Sequence, residues 1–199
     1  DLQALAAADA LASLSGHRRQ QMWDAAAQHA APPLWRDVPV HEAPLQLPEA
    51  PEGEEILFDY AATGLTLRRH PLALLRPRLA RWRLQTALQL HNAAHGRKVR
   101  ACGIVTVRQR PGTAKGTMFV TLEDETGPVN VIVWPAMVDV WRNALLRSQL
   151  LAVEGVWQCS PGALGSKAMV RHLVAQRFKD LTPLLGRMAQ ALQGSRDFH

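Results

Sequence analysis

The stretch Arg108-Gln109-Arg110-Pro111-Gly112-Thr113-Ala114-Lys115-Gly116 carries three cations and two glycines, and Phe119 follows it closely. Cations of this kind neutralise phosphate oxygens, and an aromatic side chain on an exposed surface stacks on a nucleobase for roughly 1–3 kcal/mol. The same chemistry is available from Arg100 upstream, from Trp134 and Trp157 as further aromatics, and from Lys167 in a Gly-containing loop, residues 160–167. Near the start of the chain, Gly16 followed by Arg18 and Arg19 offers a second arrangement. A glycine turn leading into a helix N-terminus presents backbone N–H groups to a phosphate. A plain pair of packed helices accounts for those residues equally well.

The elements that must position these groups are legible as periodicities. Val99 to Arg108 is apolar and β-branched. Thr117 to Glu123 alternates Met118, Val120 and Leu122 against Phe119, Thr121 and Glu123, and a turn at Glu125–Pro128 leads into Val129 to Trp134. Pro135 opens a helical stripe through Arg147, and two strand-like runs follow, Leu150 to Cys159 and Ala168 to Gln176. Three strands, a helix and two strands is the order of a five-stranded Greek-key barrel of the OB type, a fold that binds oligonucleotides, oligosaccharides or proteins. The loops at 108–116 and 160–167 then take the two positions that frame the ligand groove. Phe119 is expected on the outside if Met118, Val120 and Leu122 fill the barrel. Whether it stacks on a base or is covered by the helices of the first half is left open. Arg100 and Arg108 are expected to track a nucleic-acid backbone.

Before the barrel, Leu2 to Leu14 and Arg18 to Ala27 read as two helices joined by a Gly-containing turn. Residues 31–55 have the proline-rich, acidic composition of a linker. Helices are expected over Ile56–Thr63 and Pro71–Leu79, continuing helically from Trp82 to His95. The architecture expected is therefore α+β, in five parts: a partial helix-hairpin-helix over 1–30, the linker over 31–55, a helical connector over 56–96, the OB domain over 97–180 and a tail over 181–199.

Several groups invite stronger chemistry and are read more plainly. Glu123, Asp124 and Glu125 diverge along a strand, so a solvated turn is expected rather than a magnesium site. His91 and His95 share a helix face without a third ligand, and Arg68-Arg69-His70 is expected to snorkel or cap a helix. No nucleophile motif, Walker loop or CxxC pair is present. Cys102 and Cys159 fall on strands that pair in such a barrel, so they can be neighbours, and are read as buried thiols rather than a disulfide.

Composition agrees with a globular chain, 47% apolar over 199 residues, with neither a membrane-spanning run nor a signal segment, and a cytoplasmic location is expected. The net charge of +6 is unevenly placed. Residues 97–177 hold eleven Lys/Arg against five Asp/Glu, while residues 1–96 hold nine against ten. A basic excess confined to one module favours a polyanionic partner, and single-stranded nucleic acid fits these parts best.

The stretches DYAATGLTLRRHP, VRQRPGTAKGTMFVTLEDETG, NVIVWP and SRDFH resemble the C-terminal region of the error-prone bacterial C-family DNA polymerase, the translesion relative of the DNA polymerase III alpha subunit. LAAADALASLSGHRRQQMW is similar to the second half of that family's helix-hairpin-helix. The resemblance implies a parent nucleotidyltransferase acting in DNA damage tolerance. Its palm domain, with magnesium-binding acids, and its PHP domain would precede Asp1, so no catalytic residue and no cofactor are expected in this chain. It implies DNA contacts at Arg108, Arg110, Lys115 and Phe119, and partners in a mutagenesis complex: a catalytically inactive Y-family-like protein and a RecA-like accessory protein. Two readings follow: a single-strand DNA-binding region that guides template, or a protein-docking module using the groove, the Pro-rich segment and SRDFH.

Overall fold

A computed structural model describes residues 1–28, 43, 45–161 and 169–194. The chain divides into two compact units, the first formed by Asp1–Arg68 and the second by Arg69–Gln193. This boundary falls inside the stretch expected as a single connector over 56–96.

In the first unit, α1 (Leu2–Ala7), α2 (Ala12–Ser15) and α3 (Arg18–Ala27) precede α4 (Glu52–Thr63). The helix expected through Leu14 is broken at Asp9, which adopts φ 60°. Aspartate tolerates this left-handed conformation better than most side chains, and here its carboxylate is held 2.8 Å from Arg68 Nη2. The α4 helix begins four residues earlier than the apolar pattern suggests. Glu52, Glu54 and Glu55 lie in its first turn, where carboxylates oppose the helix dipole favourably, and Gly64 ends it in the left-handed region.

The second unit opens with α5 (Pro71–Arg81) and α6 (Ala87–His91) and then builds the barrel. The helix expected from Trp82 to His95 is interrupted. Arg83 turns left-handed at φ 58°, and Gln85 bridges Ala101 before Thr86 caps α6 through a reciprocal bond with Gln89. The capping box satisfies two backbone donors at once, which outweighs continued helix through these residues.

Strands β1 (Lys98–Gln109), β2 (Met118–Asp124), β3 (Gly127–Val133), β4 (Leu150–Pro161) and β5 (Met169–Asp180) close in the order β1-β2-β3-β5-β4. Only β3 and β5 run parallel, and β4 returns to β1. This is the five-stranded OB barrel. Its core is made by alternate residues such as Val105, Val120, Leu122, Val131, Val153 and Leu173, all buried. Ala87 and Leu90 of α6 join this core, and the start of α6 bonds the β2–β3 turn through Ala87 N and Leu88 N. The segment between β3 and β4 folds as two short helices, α7 (Pro135–Val140) and α8 (Arg142–Arg147), and α8 contributes Leu145 to the core.

Gly155 shows how tightly the sheet closes. A Cβ there would collide with the carbonyl of Val174 at the register shift between β4 and β5. A last helix, α9 (Met188–Gly194), follows the barrel. Among the described residues, no helix is long and apolar enough to cross a membrane.

Candidate nucleic-acid interface

The outer surface of β1, β2, β3 and β5 is read from the strand register. Gln109 pairs with Phe119, Phe119 with Ile132, and Ile132 with Val174, so these four side chains form one outward row. Phe119 sits in the middle of it and is 38% exposed. Val107, Thr121 and Asn130 form the next row. The result is an apolar strip with polar edges, and its aromatic member is open to solvent.

The loop between β1 and β2 borders this strip. Gly112–Ala114 make a short 3-10 turn, and Lys115 and Gly116 then take left-handed conformations at φ 47° and 87°. Two consecutive positive-φ residues turn the chain sharply back into β2. Glycine adopts this conformation freely, but lysine does so against its own preference. Arg110 and Lys115 are exposed, and neither makes an ion pair within the described residues. Trp134, 53% exposed, occupies the residue before α7 next to the loop, with Pro135 packed near Gly116. Phe119, Arg110, Lys115 and Trp134 are thus brought together at one end of the platform.

Other expected site residues are placed differently. Arg108 does not follow the outer face. A bulge between Val105 and Val107 switches the side on which β1 residues project, pairing Arg108 with the inward-facing Val120. Its guanidinium donates to the carbonyl of Leu145 at 2.7 Å and to that of Ser148, satisfying acceptors at the end of α8. Arg100 lies on the barrel surface shared with β4, paired with Glu154 at 2.8 Å, away from the Phe119 row. Trp157 is buried in the core, so it presents no stacking surface. Lys167 lies outside the described residues.

The Gly16-Arg18-Arg19 arrangement serves packing. Arg18 is 2% exposed, and its guanidinium bonds Asp59 and the Glu55 carbonyl. Arg19 bonds Glu54 at 2.6 Å and the Pro48 carbonyl at 3.1 Å. Gly16 provides the turn at φ 82°, and the His17 side chain caps α3 by accepting from Gln20 N. Arg68 completes the cluster, reaching both oxygens of Asp59 at 2.9 Å. Burial raises the Asp59 carboxyl, but hydrogen bonds from Thr66, Arg18 and Arg68 outweigh it and hold the group below the usual carboxylate range.

The acids at the β2–β3 turn are likewise engaged, not solvated as expected for all three. Only Glu123 is exposed. Asp124 is buried and accepts from Ala87 N at 2.8 Å, Thr126 N at 2.7 Å and Gly127 N at 3.2 Å. Glu125 is chelated by Arg76, which lowers its pKa against the opposing effect of burial. Committed to backbone amides and a guanidinium, these carboxylates do not fit a magnesium site. Among the described residues, no group of three or more His, Cys, Asp or Glu could hold a metal.

His95 Nδ1 bonds the backbone of Cys159, and His70 caps α5 by accepting from Leu72 N. Cys102 and Cys159 are both free thiols. Cys102 pairs with Ala152, seven residues from Cys159 along β4, or about 23 Å at the rise of a strand. Burial pushes the Cys102 thiol up to about 12, so it is inert.

The barrel defines the class of the second unit: residues 99–181 match the family described as an OB-fold nucleic acid binding domain. The whole chain is homologous to part of proteins named error-prone DNA polymerase. It is 53% identical over 205 residues to the one from Ralstonia nicotianae, an alignment covering 100% of this chain and 18% of that protein. It is 52% identical over 201 residues to the one from Bordetella parapertussis, again covering 100% of this chain and 18% of the relative. The chain thus spans less than a fifth of the length of the curated relatives it matches. Among solved structures, it is similar to asparaginyl-tRNA synthetase from Pyrococcus horikoshii, with TM-score 0.40 and 20% identity over 49% of this chain and 23% of that one.

Proposed function

We propose that this chain is the DNA-binding accessory region of a longer error-prone translesion DNA polymerase, and that its OB barrel holds single-stranded template across β1, β2 and β3. The observation that carries the reading is Phe119, exposed in the centre of an apolar outer row and flanked by Arg110 and Lys115 of the β1–β2 loop, which make no ion pair among the described residues. A base would stack on Phe119, and its phosphates would meet Arg110 and Lys115. Trp134 offers a second stacking surface next to the same loop.

In this reading the strand is held without sequence preference, because stacking and phosphate contacts are common to all bases. That suits a polymerase region that must accept damaged template. Nucleotidyl transfer and its magnesium would belong to the remainder of the longer protein. The inactive Y-family-like and RecA-like proteins would be partners of the assembled polymerase.

Titration of a fluorescent oligothymidine tests the proposal. Phe119→Ala should weaken binding by about 1–3 kcal/mol. Arg110→Ala with Lys115→Ala should lower the slope of log affinity against log salt by roughly 0.7 for each phosphate no longer neutralised. Unchanged affinity and slope in both variants would remove DNA from this platform and favour a protein in the groove.

A further inference from the structure

A second feature of the barrel lies on a different face, centred on β4. The register places Arg100 opposite Glu154 and Glu154 opposite Arg177, and in the next row Cys102 opposite Ala152 and Ala152 opposite Lys179. The segment between α5 and α6 overhangs these rows. A groove of about 400 Å³ lies between them, with Trp82, Leu84 and Phe178 among its apolar lining. It shares Leu84, Arg100 and Glu154 with a neighbouring groove of about 600 Å³.

The charge along these two grooves is strongly one-sided. Arg83, Arg97, Lys98, Arg100, Arg177 and Lys179 line them, against a single carboxylate, Glu154, which Arg100 already neutralises at 2.8 Å. Among the described residues, the other five make no ion pair within 4 Å. Lys179 lies 5.5 Å from the centre of the Trp82 ring, and Arg78 lies 5.6 Å from it. An indole that is 39% exposed therefore sits among cations at the apolar end of a basic trough.

We propose that this trough is a second tract for single-stranded nucleic acid. Unpaired bases enter the apolar groove beside Trp82, and the backbone runs over Arg97, Lys98 and Arg83. Three properties select this occupant. Six lining cations facing one neutralised acid call for a polyanion. An aromatic wall over an apolar floor takes a flat, unstacked ring, which a single strand offers and a duplex does not. The two grooves adjoin at Leu84, Arg100 and Glu154, so one strand can use the apolar and basic parts together.

The proposal rests on the reading of the chain as a DNA-binding region and deepens it: a strand leaving the Phe119 platform meets a second contact surface on the same barrel. It also gives the basic excess of the barrel a location. Arg97, Lys98, Arg100 and Arg177 all lie in the trough, whereas the β1–β2 loop presents Arg110 and Lys115.

The test uses the whole chain and an oligothymidine of about 25 nucleotides carrying 5-iodouracil, together with a poly-glutamate peptide as an acidic control. With Lys98→Ala, Arg177→Ala and Lys179→Ala combined, DNA affinity should fall at least about fivefold at 0.1 M salt, and the log-log salt slope should drop by about 2. Photocrosslinks should map to Trp82, and they should persist in the Phe119→Ala variant. Circular dichroism melts of the triple variant confirm that the barrel is intact.

Unchanged DNA affinity and slope in a folded triple variant overturns the proposal. So does loss of poly-glutamate binding while DNA binding stays constant, because the trough would then belong to an acidic polypeptide. If Phe119→Ala is silent while the triple variant weakens DNA, the platform reading fails and the trough stands. The opposite pattern removes the trough and leaves the platform.

Discussion

The arginines of the helical unit and most cations of the trough and the β1–β2 loop carry the same charge in opposite circumstances, Arg100 with its Glu154 partner excepted. In the first unit, Arg18, Arg19 and Arg68 are met by Asp9, Glu54, Glu55 and Asp59 within 4 Å. Around the trough and the β1–β2 loop, Arg97, Lys98, Arg110, Lys115 and Arg177 are met by no carboxylate among the described residues. A guanidinium enclosed by carboxylates has its charge spent on the fold, and one facing water keeps its charge for a ligand. Composition shows the same division, with four Lys/Arg against ten Asp/Glu in residues 1–68 and eleven against five in residues 97–177.

The strongest way to break this comparison is to remove the acid on which the first unit turns. Asp59→Ala takes from the buried Arg18 its shortest partner and leaves Glu55 and Asp9 at 3.5 and 3.6 Å. Stability should fall by about 3 kcal/mol, the low end of the roughly 3–5 kcal/mol that breaking a buried pair costs, because Glu55 and Asp9 still face Arg18. Urea unfolding followed by circular dichroism measures it. Affinity for single-stranded DNA, measured where the variant is still folded, should not change. A rise in affinity would mean that the cations of the helical unit are held in reserve for nucleic acid and would dissolve the distinction.

A milder perturbation is acid. The folded-state pKa values of Asp59 and Glu125 lie below their ordinary values, in the first unit and in the barrel respectively. Carboxylates depressed in this way contribute stability that is complete above their unfolded values, near pH 4, and that is lost as pH falls through the folded values. Unfolding free energy should therefore decline below about pH 4 and change little from these two groups between pH 5 and 8. Asp59→Asn should flatten the acid limb for the first unit alone. An unaltered acid limb in that variant would show that the Asp59 contacts do not persist in solution.

Much of the barrel is legible in the sequence because its inward positions alternate cleanly. Met118, Val120 and Leu122 specify β2, and Val129, Val131 and Val133 specify β3, with one face apolar in each. The position of Phe119 follows directly. Arg108 escapes this logic because a β-bulge inserts a residue without altering the apolar composition on either side, so nothing local in the sequence marks the switch of face.

The trough does leave a sequence signal. Lys98 and Arg100, and Arg177 and Lys179, are spaced by two, as cations on one face of a strand must be. The second pair is hidden when β5 is expected to end at Gln176, before the charged residues that continue it to Asp180. The fate of Arg18 is not legible locally at all. It depends on Asp59, 41 residues away, and on the break at Asp9 that swings a second carboxylate toward it. Helix periodicity carries no information about such pairings.

The finest test of the comparison is Lys115, which combines backbone strain with a charge that meets no carboxylate among the described residues. Its φ of 47° and ψ of 38° lie in the left-handed region, which disfavours a side chain with a Cβ by about 1–2 kcal/mol. Glycine would relieve that strain but lose more chain entropy on folding, so Lys115→Gly should stabilise the barrel by about 1 kcal/mol at most. The same substitution removes a cation beside Phe119 and should reduce the DNA salt slope by roughly 0.7. Stability and binding would thus move in opposite directions at one residue, the reverse of Asp59→Ala, where stability falls and binding holds. Thermal melts and salt titrations of the two variants, measured side by side, decide it. If Lys115→Gly raises the melting temperature and leaves the salt slope intact, the charge at this strained position does not serve DNA, and the β1–β2 loop falls on the side of the folding arginines.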